Sequence, residues 1–371
     1  MSGLYVHIPF CQSKCSYCAF YSEEIEKHDT ARLTAALIAH MDTYDLSGTE
    51  TVYIGGGSPS VLPPGRLLRL IEYITANCPR IDEFTVEVNP AQADLNLLHS
   101  LYEGGVNRIS IGAQSFIQEE LKLLSRVHNV GQIQTAFDHA RTAGFENISL
   151  DLIFAIPGST LEKFEYSLEK AVQLAPGHIS AYSLSIEPCT PICRAVQSGS
   201  ISAVDEETDR QMYETAIDKL AEAGLLQYEI SNFAKPGFEC RHNLACWQNR
   251  PFTGIGPAAA SYHNGTRSAN IPDIKEYVKA IENGLSVKTE VYTPTKEDIA
   301  HETAVLNLRT RRGIKLEDFK QKTGFDAMQM FDEPIAHYLK QGLLELDRTR
   351  GTLTLTRKAL PIADSVICDF T

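Results

Sequence analysis

The sequence predicts an α/β fold followed by a smaller, mostly helical domain at the C-terminus. Over roughly the first half of the chain, six short segments rich in Val, Ile, Tyr and Phe alternate with stretches of helical periodicity. Such alternation favours parallel strands joined by right-handed crossovers, either as an open doubly wound sheet or as an incomplete (β/α) barrel. In both folds, ligands bind at the carboxyl ends of the strands.

The six predicted strands share short length, β-branched or aromatic content and, in several cases, a terminal Gly or Pro. They are "LYVHI" (4–8), "TVYIGGG" (51–57), "EFTVEVNP" (83–90), "RISIGAQSF" (108–116), "NISLDLIFAIPG" (147–158) and "HISAYSLSIEP" (178–188). Between most of them, apolar residues recur at intervals of three and four, as in "ARLTAALIAHM" and "EKFEYSLEKAVQLA". The proline in "PPGRLL" begins one helix, and the glycine in "AGF" ends another.

The pattern changes after about residue 190. A helix is predicted over 205–223, and two or three helical stretches begin near residue 290. They lead into "GLLELDRTRGTLTLTRKALPIADSVICDF", where two short strands flank a turn and a helix follows, which is typical of a winged helix. The predicted division is a core over 1–235, a connecting segment over 236–290 and a winged-helix-like domain over 291–371.

Composition limits the classes of function. The net charge of -13 argues against a nucleic-acid-binding surface over most of the chain. The apolar stretches are too short and interrupted to span a bilayer, and the N-terminus lacks the pattern of a signal peptide. We therefore expect a cytoplasmic protein, in a reducing compartment where its nine cysteines do not form disulfides.

Three cysteines, Cys11, Cys15 and Cys18, lie in "YVHIPFCQSKCSYCAFYS" with the spacing C-x3-C-x2-C. Packing on one helical face is disfavoured by the poor helix formers around them. A zinc site needs a fourth ligand; His7 and His28 are the nearest candidates, and Cys189 with Cys193 has no matching histidine. The third interpretation is a [4Fe–4S] cluster whose three thiolates leave one iron open to a small chelating ligand.

Polar residues interrupt the ends of the predicted strands. Glycines 55–57 and Ser58 follow the second strand, where backbone groups can approach a ligand. Glu87, Gln114 and Asp151 stand at the next three strands, although charged and amide groups are costly in apolar segments unless they are paired. Each alone could form an ordinary structural hydrogen bond, but together they favour one shared polar ligand.

These motifs resemble the radical S-adenosylmethionine (SAM) superfamily and, within it, the oxygen-independent coproporphyrinogen III oxidase-like group. The resemblance rests on the cysteine motif with "YIGGGSPS", "EVNP", "RISIGAQSF", "LSRVHN" and "DLIFAIPG", and it covers nearly the whole chain. It implies an incomplete (β/α)6 barrel with a [4Fe–4S] cluster on Cys11, Cys15 and Cys18. It also implies a SAM site lined by Tyr5, Tyr17, Gly55, Gly56, Gly57, Ser58, Glu87, Gln114, Arg126 and Asp151.

Within this group the chain is most similar to the HemW-type haem chaperones, which bind haem and pass it to respiratory haem proteins. The oxidases carry a further cysteine where this chain has Phe20, and an additional segment before the first strand, which here begins at residue 4. The chaperones carry an H-N-x-x-Y-W motif, and "HNLACW" (242–247) resembles it, with Cys246 in place of tyrosine. The resemblance implies His242, on a mobile loop, as a haem ligand, with Trp247 suited to stacking on a porphyrin.

The expected cofactors are therefore the [4Fe–4S] cluster, SAM and haem, and the expected partners are haem-accepting respiratory proteins. A homodimer and transient membrane association are compatible with the sequence; nucleic acid is not expected. The alternatives are a radical SAM enzyme acting on a porphyrin, either a decarboxylase or a haem-degrading methyltransferase, and a redox protein that binds neither SAM nor porphyrin. Enzymatic activity is left open, and oxidation of coproporphyrinogen is not expected.

Overall fold

One sheet of twelve strands organises the chain in the computed structural model, which describes residues 2–371. The strands are β1 (Ser2–Ile8), β2 (Phe10–Cys11), β3 (Glu23–Glu24), β4 (Thr49–Gly56), β5 (Glu83–Val88), β6 (Arg108–Gln114), β7 (Asn147–Phe154), β8 (His178–Ser183), β9 (Leu226–Glu229), β10 (Asn232–Ala234), β11 (Phe252–Ile255), β12 (Ala260–His263), β13 (Thr266–Asn270), β14 (Lys288–Tyr292), β15 (Ile314–Lys315), β16 (Leu344–Asp347) and β17 (Thr352–Leu355).

Helices cover the sheet and form most of the C-terminal region. They are α1 (Thr30–Met41), α2 (Pro64–Asn77), α3 (Leu95–Glu103), α4 (Gln118–Leu123), α5 (Val130–Thr142), α6 (Leu161–Gln173), α7 (Pro191–Gln197), α8 (Glu206–Glu222), α9 (Arg241–Trp247), α10 (Ile274–Glu282), α11 (Lys296–Leu308), α12 (Leu316–Thr323), α13 (Ala327–Met330), α14 (Asp332–Gln341) and α15 (Ala363–Cys368). Three 3₁₀ turns add Ile25–Lys27, Pro59–Val61 and Arg357–Ile362. No helix among residues 2–371 combines the length and the apolar character needed to cross a membrane.

The six predicted strands are confirmed as β1, β4, β5, β6, β7 and β8, which lie side by side in this order and are all parallel. The outermost strands of the sheet, β14 and β9, do not pair with each other, so the barrel is incomplete. The predicted incomplete (β/α)6 barrel is therefore the observed fold.

Strand alternation separates an apolar outer layer from a polar interior. Leu4, Val6 and Ile8 of β1 are fully buried in the cluster that includes residues of the surrounding helices. Because successive side chains of a strand point to opposite faces, Tyr5 and His7 point to the other side of the sheet. Full burial of each aliphatic side chain contributes about 1.5–3 kcal/mol, so the outer layer stabilises the barrel and leaves the interior available for polar groups.

The segment predicted as a connection, 236–290, contributes strands to the main sheet. β11 pairs in parallel with β1, and β12, β13 and β14 extend that edge as antiparallel strands. At the opposite edge, β10 and β9 form a hairpin against β8. The boundaries of the three-part division stay a prediction.

The C-terminal region has the predicted winged-helix-like form. Helices α11, α12 and α14 precede the hairpin of β16 and β17, and the short strand β15 joins that hairpin on its other side. β15 was not predicted from the sequence. Phe331 contacts both Phe319 and Phe370, and the three buried rings fill the core between these helices and α15.

Candidate functional site

A cavity of about 560 Å³ opens at the carboxyl ends of the parallel strands. Eleven of the residues that the resemblance assigned to the cluster and to SAM line this cavity. These are Cys11, Cys15, Tyr17, Cys18, Gly56, Gly57, Ser58, Glu87, Gln114, Arg126 and Asp151. Residues separated by up to 140 positions in the sequence therefore face one space, as expected for the ends of neighbouring parallel strands.

The cysteine loop is held at both its base and its tip. At the base, β2 pairs in parallel with β3, so that Phe10 faces Glu23. Near the tip, the Ser16 hydroxyl donates to the carbonyl of Leu123 at 2.8 Å, and the Ile192 amide donates to the Ser16 carbonyl at 2.9 Å. The three thiols therefore project from a fixed loop rather than from a helix.

The thiols share one electrostatic environment. Burial raises the pKa of the Cys11 and Cys18 thiols, and the charge of Cys15 raises both further. Arg126 opposes this effect, and its Nη1 lies 3.6 Å from the Cys15 sulfur. A cationic group beside buried thiols stabilises their thiolate forms, which are the forms that bind iron.

The zinc interpretation finds no support in the geometry. Within residues 2–371, no three His, Cys, Asp or Glu side chains are arranged around a point that could hold a single metal ion. His7 lies next to Tyr5 and the Tyr21 carbonyl, and His28 bonds to Glu23 at 2.8 Å. A [4Fe–4S] cluster spreads its three thiolates over three iron atoms, so cysteines that line one cavity without converging on one point fit it better.

The glycine run is shaped by the protein around it as well as by the cavity. The Gly57 amide donates to the Ile8 carbonyl at 2.8 Å, which ties the run to the base of the cysteine loop. Gly56 has φ +109°, and a Cβ there would stand 2.5 Å from the His7 ring. A side chain at Gly56 would therefore collide with the His7 ring, so the packing around this turn requires glycine at the position.

Glu87 is the carboxylate at the end of β5. It accepts hydrogen bonds from the Tyr53 hydroxyl at 2.8 Å and from the Gly56 amide at 3.3 Å. Burial raises its pKa to about 7, although the Tyr53 bond acts in the opposite direction. A buried carboxyl with this pKa is suited to an amino group of a ligand, which would favour its ionised form.

Gln114 and Asp151 face the cavity from the next two strands. Gln114 has φ +68°, an uncommon backbone conformation for a residue other than glycine, and β6 is irregular between Ile111 and Gln114. The Ser110 hydroxyl lies 3.1 Å from both carboxylate oxygens of Asp151, which share its one hydrogen, and burial raises the pKa of Asp151. Both positions are arranged for polar contacts toward the cavity.

Arg126 has unused hydrogen-bonding capacity. Its Nη2 donates to the Gly112 carbonyl at 2.9 Å, but its buried Nε has no partner within the described chain. Tyr17 packs beside it, and burial raises the pKa of that phenol. A buried guanidinium with a free donor suits the carboxylate of an amino-acid ligand such as SAM.

Two residues assigned by resemblance do not line the cavity. Tyr5 is on β1, where its hydroxyl lies 2.9 Å from His7 Nδ1 and its ring packs against Tyr53. A Cβ on Gly55 would be 2.9 Å from the Glu87 carboxyl, so this glycine leaves space for Glu87. Both act beneath the cavity, on the side chains that support it.

Several residues that line the cavity were not predicted from the sequence, including Tyr182 near the end of β8 and Ser110 on β6. Tyr182 is exposed near the end of β8, after four buried residues of that strand, and it lines the cavity. Its position after "HISA" carried the same strand-end signal as Glu87 and could have been recognised. Ser110 is an ordinary strand serine, and only its contact with Asp151 identifies it.

His242 lies at the opposite end of the barrel from the cysteines, near the start of β4. The residue is part of helix α9, not of a mobile loop as expected, and only 5% of its surface is exposed. Its Nδ1 is 3.1 Å from the Thr51 hydroxyl, and its ring packs on Tyr53. Burial lowers its pKa to about 4, so the imidazole is neutral at physiological pH.

The N-terminus of α9 is fixed by a carboxylate from β5. Glu83 accepts hydrogen bonds from the amides of Arg241 and His242, at 2.8 and 3.0 Å. At the other end of α9, the Trp247 ring is covered by the Arg309 guanidinium at 4.9 Å from its centroid. Burial raises the pKa of Cys246 to about 11. In this conformation α9 therefore closes the barrel, and Trp247 has one face already occupied.

Comparisons with known families agree with the geometry. The model of the radical SAM superfamily matches residues 5–171, and the model of the HemN C-terminal domain matches residues 295–362. The first match includes the cysteine loop and the ends of β4, β5, β6 and β7 around the cavity. Membership of the radical SAM superfamily implies a [4Fe–4S] cluster and SAM as cofactors.

Full-length relatives narrow the family. The protein "Heme chaperone HemW" of Bacillus subtilis is 36% identical over 368 residues, 97% of both chains. The protein of the same name from Lactococcus lactis is 34% identical and covers 100% of this chain and 97% of its own. The coproporphyrinogen III oxidase HemN of Escherichia coli shares the fold, with a TM-score of 0.84 at 23% identity over 99% of this chain and 89% of that chain. This chain belongs to the HemW family of haem chaperones within the radical SAM superfamily.

Proposed function

We propose that this protein is a haem chaperone that holds a [4Fe–4S] cluster and SAM at one end of its barrel, binds haem and delivers it to other haem proteins. The bacterial relatives that match it over nearly their full length are named heme chaperones. In this proposal Cys11, Cys15 and Cys18 bind the cluster. Its unligated iron would take the amino and carboxylate groups of SAM.

Different residues around the cavity would bind different chemical groups of SAM. The Glu87 carboxylate, oriented by the Gly56 amide, would accept hydrogen bonds from its amino group, and the unpaired donor of Arg126 would bind its carboxylate. Asp151 and Gln114 lie farther along the row of strands, where polar hydroxyl groups of the nucleoside would be bound. When bound, the cluster supplies an electron for reductive cleavage of SAM. This chain's own residues orient the ligand and limit the access of water.

One observation favours the chaperone over the oxidase. The cavity is lined by Cys11, Cys15 and Cys18 and by no fourth cysteine among residues 2–371. Phe20 occupies the position where the oxidases resembled by this chain carry their additional cysteine, and 73% of its surface is exposed at the cavity. An exposed phenyl ring cannot replace a thiol as a metal ligand or as a redox group.

His242 is the first candidate for the haem ligand. A neutral imidazole is the form of histidine that binds iron, and His242 is neutral. Its burial means that haem reaches it only after α9 has moved away from the barrel. Cys246 and His263 are the next candidates, and both are more exposed than His242.

Haem transfer tests the proposal directly. Anaerobically reconstituted protein should bind haem stoichiometrically and release it to apomyoglobin, which is followed by the growth of the myoglobin Soret band. Haem-accepting respiratory proteins, a cytoplasmic location, a homodimer and transient membrane association remain predictions of the same proposal. Failure to bind haem at an equimolar ratio, with the cluster intact, would contradict the chaperone function.

A further inference from the structure

A second cavity, of about 380 Å³, lies between helix α9 and the C-terminal helices α11 and α12. It is remote from the cysteines and shares no lining residue with the first cavity. We call it the basic cavity, and it is lined by Leu244, Gln248, Arg250, Thr303, Asn307, Thr310, Arg312, Gly313, Lys315, Asp318, Phe319 and Lys322.

The charge of this lining is opposite to that of the chain. Four cationic residues, Arg250, Arg312, Lys315 and Lys322, accompany one acid, Asp318, in a protein whose net charge is -13. Clustered cations repel one another, and they attract anions to the cleft that they line. The charge of this cavity lining is therefore positive, whereas the net charge of the chain is negative.

The cations are incompletely compensated within the protein. Lys315 lies 3.6 Å from Asp318, but neither Arg250 nor Arg312 forms an ion pair with any residue from 2 to 371. The Lys322 ammonium donates to the backbone carbonyls of Gln248 and Asn249, each at 2.6 Å, and not to a carboxylate. Two guanidinium groups therefore remain available to carboxylate or phosphate oxygens.

The pKa of Lys322 is affected by the positive charges around it. Burial lowers its pKa to about 8, and the charges of Arg250 and Arg267 lower it further, while Glu302 acts in the opposite direction. Glu302 is itself engaged with Arg267, at 2.7 Å. An added anion would relieve the repulsion among these cations.

The position of the cavity connects it to the family motif. Leu244 and Gln248 are four residues apart, so they share one face of the segment that contains "HNLACW", and that face borders the cavity. The partly exposed Leu244 adds apolar surface beside the cations, with the buried Phe319 behind it. A ligand that combines carboxylates with a flat apolar body matches this mixture.

We propose that the basic cavity binds the two propionate carboxylates of haem, with Arg250 and Arg312 as the principal contacts. This inference rests on the proposed haem-binding function and adds to it the site that anchors the carboxylate edge of the porphyrin. The volume is suited to the two carboxylates and the adjoining edge. His242 is two residues from Leu244, and its ring contacts Thr51 of the barrel, so it does not line the basic cavity.

Haem and its dimethyl ester distinguish the anchor from general porphyrin binding, because esterification removes both negative charges and keeps the ring. Each is titrated into the reconstituted wild-type protein from the same detergent. We expect the ester to bind about ten-fold more weakly than haem. The variant R250Q/R312Q should bind haem about ten-fold more weakly than wild type and should no longer distinguish haem from the ester.

The matched control is R66Q/R69Q, which removes two arginine charges from helix α2, outside the lining of either cavity. It should bind haem and the ester as wild type does. Equal affinity of wild-type protein for haem and ester would overturn the anchor, as would unchanged haem affinity in R250Q/R312Q, and both results would leave haem binding itself intact. Absence of any haem binding by wild-type protein would instead overturn the proposed function together with the anchor.

Discussion

Replacement of Glu87 by glutamine should have opposite effects on SAM binding and on the stability of the ligand-free protein. The pKa of Glu87 is raised from 4.5 to about 7, mainly by burial. The folded, ligand-free state therefore disfavours the ionised carboxylate, and this destabilisation is fully present above pH 7. It disappears as the pH falls toward 4.5, where the unfolded chain is also protonated.

The stability effect follows from that difference in pKa. A rise from 4.5 to about 7 corresponds to roughly 3 kcal/mol, since each pKa unit equals about 1.4 kcal/mol. Glu87 is half-buried at an open cavity, so water screens part of this cost. We expect Glu87→Gln to increase the free energy of unfolding at pH 8 by about 1–2 kcal/mol.

The effect on SAM binding has the opposite sign because the ammonium group of SAM requires the carboxylate. Loss of one partner of a buried charged hydrogen bond costs about 3 kcal/mol, or roughly 100-fold in affinity. In the wild-type protein, protonation of Glu87 should weaken SAM binding roughly eight-fold between pH 7.5 and pH 6. The variant should not show this pH dependence.

Calorimetry on reconstituted protein at both pH values measures the affinities, and urea denaturation of the ligand-free protein measures the stability. The control is Glu229→Gln, which neutralises another buried carboxyl of raised pKa outside the cavity lining and should leave SAM binding unchanged. Wild-type affinity for SAM in Glu87→Gln, or affinity independent of pH in wild type, would refute the role given to Glu87.

Three further predictions concern the cluster, the glycine run and helix α9. Cys11→Ala should abolish the iron–sulfur absorption. Cys189→Ala replaces an exposed cysteine outside the cavity lining and should retain that absorption. The reverse pattern would move the cluster elsewhere. Gly56→Ala should lower the free energy of unfolding by at least about 2 kcal/mol, because the added Cβ meets the His7 ring and φ is +109°. Gly65→Ala is the control, since open space surrounds that position, and it should not have this effect. Equal stability of the two variants would contradict this packing. His242→Ala should destabilise the protein by about 2 kcal/mol, and it should weaken or shift the haem absorption band while the cluster is unchanged. The control Thr51→Val, which removes the hydrogen-bond partner of His242, should affect stability alone. An unaltered haem spectrum in His242→Ala would move the ligand to Cys246 or His263.

The barrel was predictable from local sequence because each of its six strands is a short run of β-branched and aromatic residues. In β1, β5 and β6, these residues alternate or run continuously between turn signals, as buried parallel strands require. The helices between them repeat apolar residues at helical intervals. The right-handed connections that such units form are compatible with both a doubly wound sheet and an incomplete barrel, so these local patterns alone did not decide the order of the strands.

The far edge of the sheet was not predictable in the same way. β12 and β13 carry "ASYH" and "TRSAN", which have few strong strand formers, and β11 pairs with β1 across about 250 residues of sequence. These strands form because an existing sheet edge satisfies their backbone hydrogen bonds, and such a long-range pairing leaves no local pattern.

In the candidate site, too, some features were predictable from local sequence and others depend on tertiary contacts. Strand-end polarity identified Glu87, Gln114 and Asp151, and the structure brings them to one cavity with the cysteines. The sequence could not tell that Gly55 supports Glu87 from below or that α9 is buried. Helix α9 lacks a side-chain N-cap of its own and relies on Glu83 from a distant strand, so its position depends on tertiary contacts.

The most direct test of the central claim is turnover of coproporphyrinogen by reconstituted protein that has also been shown to bind haem. The sample contains the cluster, SAM and a reductant under anaerobic conditions, and porphyrin products are separated and quantified over time. The chaperone account predicts stoichiometric haem binding and no accumulation of protoporphyrinogen. Multiple turnovers of coproporphyrinogen to protoporphyrinogen would contradict it and would assign the protein to the oxidases.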